Sequence, residues 1–400
     1  MRLITILIIT FICEFVIAQE NPNKAILNKY KNIKIDFFTS SNSVYTDNYL
    51  YKAFRSKING DQEAYISYLE KSFKKAKQDS IKKQIGSILY YVYLDKRQRD
   101  KAVELNRSSN ELNFNIYSDI VAKKSDYPSS KLETLDNQTE VDFDQFYFDA
   151  VVNKNDTVKV FFDTGAPGIS VNQDLVEKYN WETDTTYHGY SYVPAMDMTF
   201  KKFPVMLPNL KIGSFEFKNL SAHYNMNPKE QEVSEEKESS VGIENYDIMI
   251  GINVFEELLD GVKFDFKEGK LKLIKNLPEK QVKPNFMMVD AKPAIEFTLS
   301  DNRYTAFLDT GSPRHVLPDK LITEDNSYFK EKSNYGDYEY DIFHVKYDKV
   351  LNQKDIWLDS ADYGGFNVSD TFKIDALFGS FLGRTLTFDF KNRRAEIYKD

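Results

Sequence analysis

The sequence predicts a mainly β protein in which one order of motifs occurs twice, behind a small helical domain. An apolar run that ends in Asp-Thr-Gly is present at residues 160–166 and again at 306–312. Two strand-like segments joined by a polar turn come before each copy, at 146–162 and at 294–308. Before residue 125 the apolar residues recur instead at steps of three and four, which predicts helices.

The two Asp-Thr-Gly triplets predict acids placed beside a packed core. An apolar run that stops at an acid and a glycine is typical of a buried strand that breaks into a tight turn. Asp163 and Asp309 then lie at the ends of such strands. A carboxylate in that position is costly unless it is hydrogen-bonded or shares a proton.

Two further motifs follow each triplet in the same order. Apolar residues precede a glycine at 247–251 and at 375–379, and Phe-Asp-Phe follows at 264–266 and 388–390. In this order of motifs, over residues 140–400, the sequence resembles the pepsin and retropepsin family of aspartic peptidases.

The resemblance implies a two-lobed, pepsin-like acid protease β-barrel fold, with a first lobe at 140–278 and a second lobe at 279–400. It implies that Asp163 and Asp309 meet at the bottom of a cleft and share one proton, because two adjacent carboxylates do not both ionise cheaply. The charged acid would activate a water molecule and the protonated acid would bind the scissile carbonyl. This chemistry needs no cofactor and no metal.

The neighbours of the two acids have expected supporting roles. Gly165 and Gly311 let the backbone pass close to the carboxylates and donate their amides. The resemblance implies that Thr164 and Thr310 cross-link the two loops, and that Ser312 hydrogen-bonds the aspartate of its own lobe. It also implies a flap over the cleft, for which 187–192 is the candidate. An ordinary pair of aromatic strands is an equally good interpretation of that segment.

The residues before the first lobe divide into three segments. Residues 19–45 are expected to be a lead-in, 46–135 an α-helical domain, and 125–142 to contain a linker. A faint repeat, at 61–64 and 99–102, resembles a tetratricopeptide pair of helical hairpins. Such a domain either binds a protein partner or forms a small bundle packed against the first lobe. A removable propeptide is a further alternative.

The N-terminus predicts export. Arg2 precedes an apolar run at 3–12, and small or branched residues precede a cut before Gln19, so 1–18 is expected to be a signal peptide. An uncleaved anchor is the alternative. Cys13 is the only cysteine and lies within that segment, so the mature chain has no disulfide. We expect a bacterial periplasmic, cell-surface or secreted protein with no stable membrane insertion after cleavage.

Composition and motif searches narrow the function further. Hydrophobic content of 42% allows packed cores, and a net charge of −8 argues against a nucleic-acid partner. The four histidines have no metal-ligand spacing. We therefore expect an aspartic endopeptidase acting on a peptide or protein substrate, a monomer because one chain supplies both acids. The alternative is a catalytically idle pepsin-fold binding protein whose helical domain engages a partner.

Overall fold

The computed structural model forms a layer of helices followed by three β-sheets. The segment expected to be a signal peptide, 1–18, lies outside the described residues. The described ranges are 21–40, 44–108, 127–144, 146–185, 188–193, 198–225, 246–289, 291–299, 301–312, 315–316, 328–335, 338–350, 353–361, 372, 374–379 and 384–398.

The first half of the β region supplies one eight-stranded sheet and three strands of a central sheet. A helix, α7 (Gln173–Tyr179), follows the fifth strand. The strands are β1 (Lys131–Glu133), β2 (Gln138–Asp142), β3 (Tyr147–Val152), β4 (Asp156–Phe162), β5 (Ile169–Val171), β6 (Gly189–Val193), β7 (Met198–Ile212), β8 (Phe215–Asn225), β9 (Ile248–Ile250), β10 (Gly261–Asp265) and β11 (Lys270–Ile274).

The second half supplies another eight-stranded sheet and the last two strands of the central sheet. Its strands are β12 (Phe286–Val289), β13 (Lys292–Leu299), β14 (Asn302–Leu308), β15 (His315–Val316), β16 (Tyr328–Tyr335), β17 (Tyr338–Val350), β18 (Gln353–Ala361), β19 (Ala376–Phe378), β20 (Thr385–Asp389) and β21 (Arg394–Tyr398). The hairpins predicted before each Asp-Thr-Gly are confirmed, as antiparallel β3–β4 and β13–β14.

The two eight-stranded sheets repeat one pattern of pairing. The strand before Asp-Thr-Gly runs parallel to the apolar strand before the later glycine, as β4 with β9 and β14 with β19. A short strand then pairs antiparallel to that second strand, as β5 and β15. The same short strand pairs parallel to a long outer strand, β8 or β18. The duplicated motifs therefore fold into two lobes of matching topology.

The central sheet joins the lobes through the two Phe-Asp-Phe segments. Its order is β2-β11-β10-β20-β21, and β10 runs antiparallel to β20. Val262 faces Phe388, and Phe264 faces Leu386, across this junction, and all four are fully buried. The result is a mainly β, two-lobed, pepsin-like fold preceded by a small helical domain.

Among the described residues six helices precede the lobes, and side-chain caps mark the starts of three of them. Asn48 accepts hydrogen bonds from two amides of the next turn, and Asp61 accepts one from the amide of Ala64. Gly60, at φ +81°, lets the chain reverse between the third and fourth helices. The helices are α1 (Pro22–Lys31), α2 (Ile35–Thr39), α3 (Tyr49–Ile58), α4 (Gln62–Lys75), α5 (Asp79–Asp95) and α6 (Arg99–Ser108).

The helices share one apolar core with the second lobe. The rings of Tyr30 and Phe54 are buried and stack with their centroids 3.7 Å apart. Phe307 of β14, two residues before Asp309, belongs to the same cluster. Four side chains of the second-lobe strands lie in this core: Met287, Val289, Ala294 and Phe307. The helical layer therefore lies against the strand that leads to the second acid.

Two of the sequence predictions about this region need correction. The bundle was expected against the first lobe, but its apolar face packs on the second, because β12, β13 and β14 turn buried apolar side chains toward it. Contacts to first-lobe residues are polar, as in the ion pair of Lys96 with Glu257. The expected lead-in contains α1 and α2, whose Ile26 and Phe38 are buried in the helical core.

The expected linker at 125–142 is also ordered into strands. β1 pairs with β8, and β2 pairs with β11 at the edge of the central sheet. These strands pair through backbone hydrogen bonds, which do not require an apolar sequence pattern. The sequence therefore did not predict strands in this segment. The tetratricopeptide assignment stays a prediction. Among the described helices, none is long and apolar enough to cross a membrane.

The packing of the helices leads to a first prediction. A chain that begins at residue 127 would expose Ala294 and the larger apolar side chains of Met287, Val289 and Phe307. Burying each of these three fully contributes about 1.5–3 kcal/mol. We expect the shortened chain to aggregate, or to melt at least ~10 °C below the chain that begins at Gln19. Thermal unfolding followed by circular dichroism measures this. Equal melting temperatures would instead favour a removable propeptide.

Candidate active site

Each aspartate is delivered by a strand and held by its parallel neighbour. Asp163 follows β4, and its amide donates to the carbonyl of Ile250 at 3.0 Å. Asp309 follows β14, and its amide donates to the carbonyl of Phe378 at 2.8 Å. The acceptors belong to the two apolar-Gly motifs. The second motif of each lobe therefore positions the acid supplied by the first.

A further acid in each lobe holds the register of these strands. The amide of Lys159 donates to Asp247 Oδ2 at 2.8 Å, and the amide of Thr305 donates to Asp375 Oδ2 at 2.9 Å. Both donors stand four residues before the site aspartate of their lobe. Asp247 and Asp375 open the apolar-Gly motifs, but the sequence assigned them no role. Their repeated place before the glycine was the signal that could have found them.

The predicted cross-link by the two threonines is present between the loops. The Thr164 amide donates to Thr310 Oγ1 at 3.0 Å, and the Thr310 amide donates to Thr164 Oγ1 at 2.8 Å. Each hydroxyl then donates to a carbonyl of the opposite lobe, Leu308 at 2.8 Å and Phe162 at 3.2 Å. Both threonines are buried. Four hydrogen bonds thus tie together residues that are 144–148 positions apart.

The two glycines of the triplets bring the carboxyl groups together. Gly165 and Gly311 donate their amides to Oδ1 of their own aspartates, at 2.8 and 3.0 Å. A Cβ on Gly165 would lie 2.3 Å from Asp309 Cγ, and one on Gly311 would lie 2.5 Å from Asp163 Cγ. Each carboxyl group therefore occupies the space above the opposite glycine. No side chain fits there without moving an acid.

The proximity of the acids changes the protonation of Asp309. Its pKa is raised well above the usual carboxyl range, first by burial and then by the charge of Asp163 and a hydrogen bond with that residue. The positive charge of Lys292 and the Gly311 amide act in the opposite direction. Asp309 therefore keeps its proton over a pH range in which an ordinary carboxyl group is ionised.

The turns after the acids are held by backbone bonds and one amide side chain. Ala166 and Ser312 donate their amides to the carbonyls of Asp163 and Asp309, at 3.0 and 3.2 Å. The bond from the Ser312 hydroxyl to its aspartate stays a prediction. Asn253 Oδ1 accepts from the Gly168 amide at 2.9 Å, where the backbone has φ +79°. Sequence reasoning missed Asn253, which lies two residues after the apolar-Gly motif.

An aromatic surface beside Asp163 was also missed. The ring of Tyr246 stacks on that of Phe161 with centroids 5.4 Å apart, and Tyr147 contacts Phe161 at 5.3 Å. Burial, and then the charge of Asp163, raise the pKa of Tyr246. The phenol therefore lies within electrostatic reach of the acid. The place of Tyr246 in the sequence, directly before Asp247, could have pointed to this aromatic surface.

The flap candidate is described in part. β6 and β7 form the expected antiparallel strand pair of the first lobe, while Tyr187 and residues 194–197 lie outside the described residues. No residue is therefore assigned to its tip. In the part of the chain that the structure describes, no group of three or more His, Cys, Asp or Glu side chains is arranged to hold a metal ion.

Comparisons with known proteins found similar solved structures, but at low scores. No protein-family model and no curated protein matches the sequence. A retropepsin-like aspartic protease from Rickettsia conorii matches with 22% identity, 36% of this chain, 91% of its own and a TM-score of 0.23. Basic 7S globulin from soybean matches with 9% identity, 66% of this chain, 97% of its own and a TM-score of 0.39. Likeness at these scores says nothing about activity, which must be judged from the residues of this chain.

The threonine cross-link gives a prediction on stability. Thr164→Val or Thr310→Val removes a hydroxyl and leaves the buried amide of the other threonine without its acceptor. We expect each to lower the free energy of unfolding by roughly 2–4 kcal/mol, measured by chemical denaturation. Thr164→Ser and Thr310→Ser keep the hydroxyl and should lose less than half as much. Equal losses in the Ser and Val variants would contradict a role for the hydroxyls.

The raised pKa of Asp309 gives a prediction on pH dependence. The folded chain binds that proton more tightly than the unfolded chain, so this carboxyl group lowers stability as pH rises through the usual carboxyl range and the raised pKa. Asp309→Asn removes the effect and should melt at a higher temperature than wild type at about pH 8. The gain should vanish below about pH 4, near the ordinary carboxyl pKa.

The matched control for that experiment is Asp149→Asn, which changes an exposed carboxyl group on β3. It should show no comparable gain at any pH. If Asp309→Asn is less stable than wild type at about pH 8, the charge repulsion inferred here does not oppose folding.

Proposed function

We propose that the chain hydrolyses peptide bonds as an aspartic endopeptidase. The observation that carries the proposal is the mutual placement of the two acids. Each carboxyl group lies above the glycine of the opposite loop, and burial together with the charge of Asp163 raises the pKa of Asp309. Such a pair can hold one proton near neutral or acid pH, which is the state that this chemistry requires.

In the proposed first step the two acids have different roles. Asp163 is charged and removes a proton from a water molecule, whose oxygen attacks the scissile carbonyl carbon. Asp309 gives its proton to the carbonyl oxygen, so the tetrahedral intermediate is a neutral diol. Asp163 then holds the proton taken from water, and Asp309 is charged.

In the second step the intermediate breaks down and the pair is restored. Asp163 gives its proton to the amide nitrogen as the carbon–nitrogen bond breaks. Asp309 takes a proton from the hydroxyl group as the carboxylic acid forms. The net reaction consumes one water molecule and returns the single shared proton to Asp309. Because the acids interact strongly, their apparent pKa values belong to the pair.

The expected substrate is an extended peptide with apolar side chains beside the cut. The half-buried rings of Phe161 and Tyr246 support that expectation, since they offer an apolar surface within electrostatic reach of Asp163. We further propose that the protein is exported to the periplasm, cell surface or medium and acts as a monomer. A protein partner for the helical domain belongs to the same proposal.

Peptide cleavage tests this function directly. We expect wild type to cleave a mixed peptide library between about pH 3 and pH 7, to lose activity as pH rises through the raised pKa of Asp309, and to be blocked by a statine-type inhibitor. Asp163→Asn and Asp309→Asn should each reduce kcat/KM by at least about a thousandfold. Cleavage products are measured by mass spectrometry.

The controls separate a loss of chemistry from a loss of fold. Asp149→Asn should keep full activity, and both dyad variants should keep the wild-type circular dichroism spectrum. A folded wild type that is no more active than the dyad variants would contradict the hydrolase proposal. It would favour the idle binding protein, particularly if the chain still bound the statine inhibitor.

A further inference from the structure

The helical domain differs sharply in charge from the rest of the chain. Residues 21–108 contain 18 Lys and Arg against 9 Asp and Glu, a net charge of +9. The whole chain has a net charge of −8, so the remaining residues together have −17. A protein with this separation has a strong dipole. Its basic end is attracted to an anionic surface, while the acidic lobes are repelled from it.

The positive charge is concentrated where α4 meets α5. Asp79 is the single acid among six exposed lysines there, which we call the lysine tip. The tip consists of Lys71, Lys74, Lys75, Lys77, Lys82 and Lys83. Ion pairs of the helical domain involve other lysines, such as Lys52 with Asp47 and Lys101 with Glu70. None of the tip lysines pairs with a carboxylate among the residues described.

Three of the tip lysines pack on aromatic rings. The ammonium group of Lys75 lies 4.6 Å from the centroid of the Tyr49 ring, and that of Lys71 lies 5.3 Å from Tyr68. Lys82 is placed in the same way over Phe73, at 5.3 Å. The stems pack on the rings while the charges stay at the surface. Less side-chain entropy is therefore lost when these lysines meet a partner.

The described chain also begins beside the tip. Asn23 Oδ1 accepts a hydrogen bond of 2.8 Å from Asn48 Nδ2. Asn48 caps α3, whose first residue, Tyr49, lies under Lys75. The export expected from the N-terminal sequence would bring the chain to a bilayer, and the anionic phospholipids of that bilayer are the polyanion that we expect the tip to meet.

We propose that the lysine tip binds the surface of an anionic phospholipid membrane and turns the two lobes away from it. The contact is peripheral and electrostatic, with lysine ammonium groups meeting lipid phosphates. Each lysine near such a surface tightens binding by about fivefold. Salt screens the attraction, since the Debye length falls from roughly 30 Å at 0.01 M to roughly 3 Å at 1 M. This proposal does not depend on peptidase activity.

Vesicle co-sedimentation tests the proposal. The chain beginning at Gln19 is used, since it keeps every described residue and omits the apolar run, which would bind any bilayer. We expect it to bind vesicles of phosphatidylglycerol and phosphatidylcholine at least about thirtyfold more tightly than vesicles of phosphatidylcholine alone. The difference should disappear in about 0.5 M NaCl.

Two variants of equal charge identify the surface. The tip variant replaces four lysines with glutamine: Lys71→Gln, Lys74→Gln, Lys77→Gln and Lys83→Gln. The control replaces four exposed lysines of the lobes and their junction in the same way: Lys154→Gln, Lys201→Gln, Lys211→Gln and Lys280→Gln. The tip variant should lose at least about thirtyfold in binding, and the control less than about threefold. Circular dichroism and melting temperature check that both variants are folded.

Three results would overturn the proposal. Equal loss in both variants would show that only net charge matters. Equal binding to the two kinds of vesicle would exclude recognition of anionic lipid. No binding to either vesicle, together with tip-dependent binding to a DNA duplex in the same buffer, would assign the tip to another polyanion.

Discussion

The reciprocal hydrogen bonds between Thr164 and Thr310 hold together the two loops that carry the aspartates. Each hydroxyl accepts from an amide of the opposite loop and donates to a carbonyl of the opposite lobe. Neither lobe alone can satisfy these buried groups, and an unsatisfied buried group costs about 1–3 kcal/mol. The loops that hold Asp163 and Asp309 are therefore complete only when both lobes are folded and joined. The separation of the two carboxyl groups is set by this cross-link.

Both lobes position their aspartates through the same three kinds of contact. A parallel neighbour strand holds the amide of each site aspartate, Asp247 or Asp375 holds the strand before it, and a glycine leaves room for the opposite carboxyl group. The arrangement places two acids where their charges oppose each other, which raises the pKa of Asp309. The repulsion between these two carboxyl groups lowers the stability of the fold. The two Phe-Asp-Phe strands offset this loss, because they bury their rings against each other in the central sheet.

The helical layer adds a third component to the two lobes. Its apolar face continues into the second lobe as far as Phe307, on the strand that ends at Asp309. The helical domain also differs from the lobes in charge, since its net charge is +9 and the lobes are acidic. One face thus supports the strand behind the dyad while the lysine tip remains exposed to solvent. These two properties belong to different surfaces of the same helices and can be changed independently.

The two hairpins, the duplicated motifs and the two candidate aspartates could be predicted from the sequence, because strands, turns and glycines leave patterns over a few neighbouring residues. Three features became visible only in the folded chain: α1 and α2 join the helical core, this core packs on the second lobe, and Tyr246 and Asn253 lie near the two acids. An amphipathic pattern records that a face is buried but not what buries it, and Tyr246 and Asp163 meet only after β4 and β9 pair. Contacts between distant residues leave no local pattern in the chain.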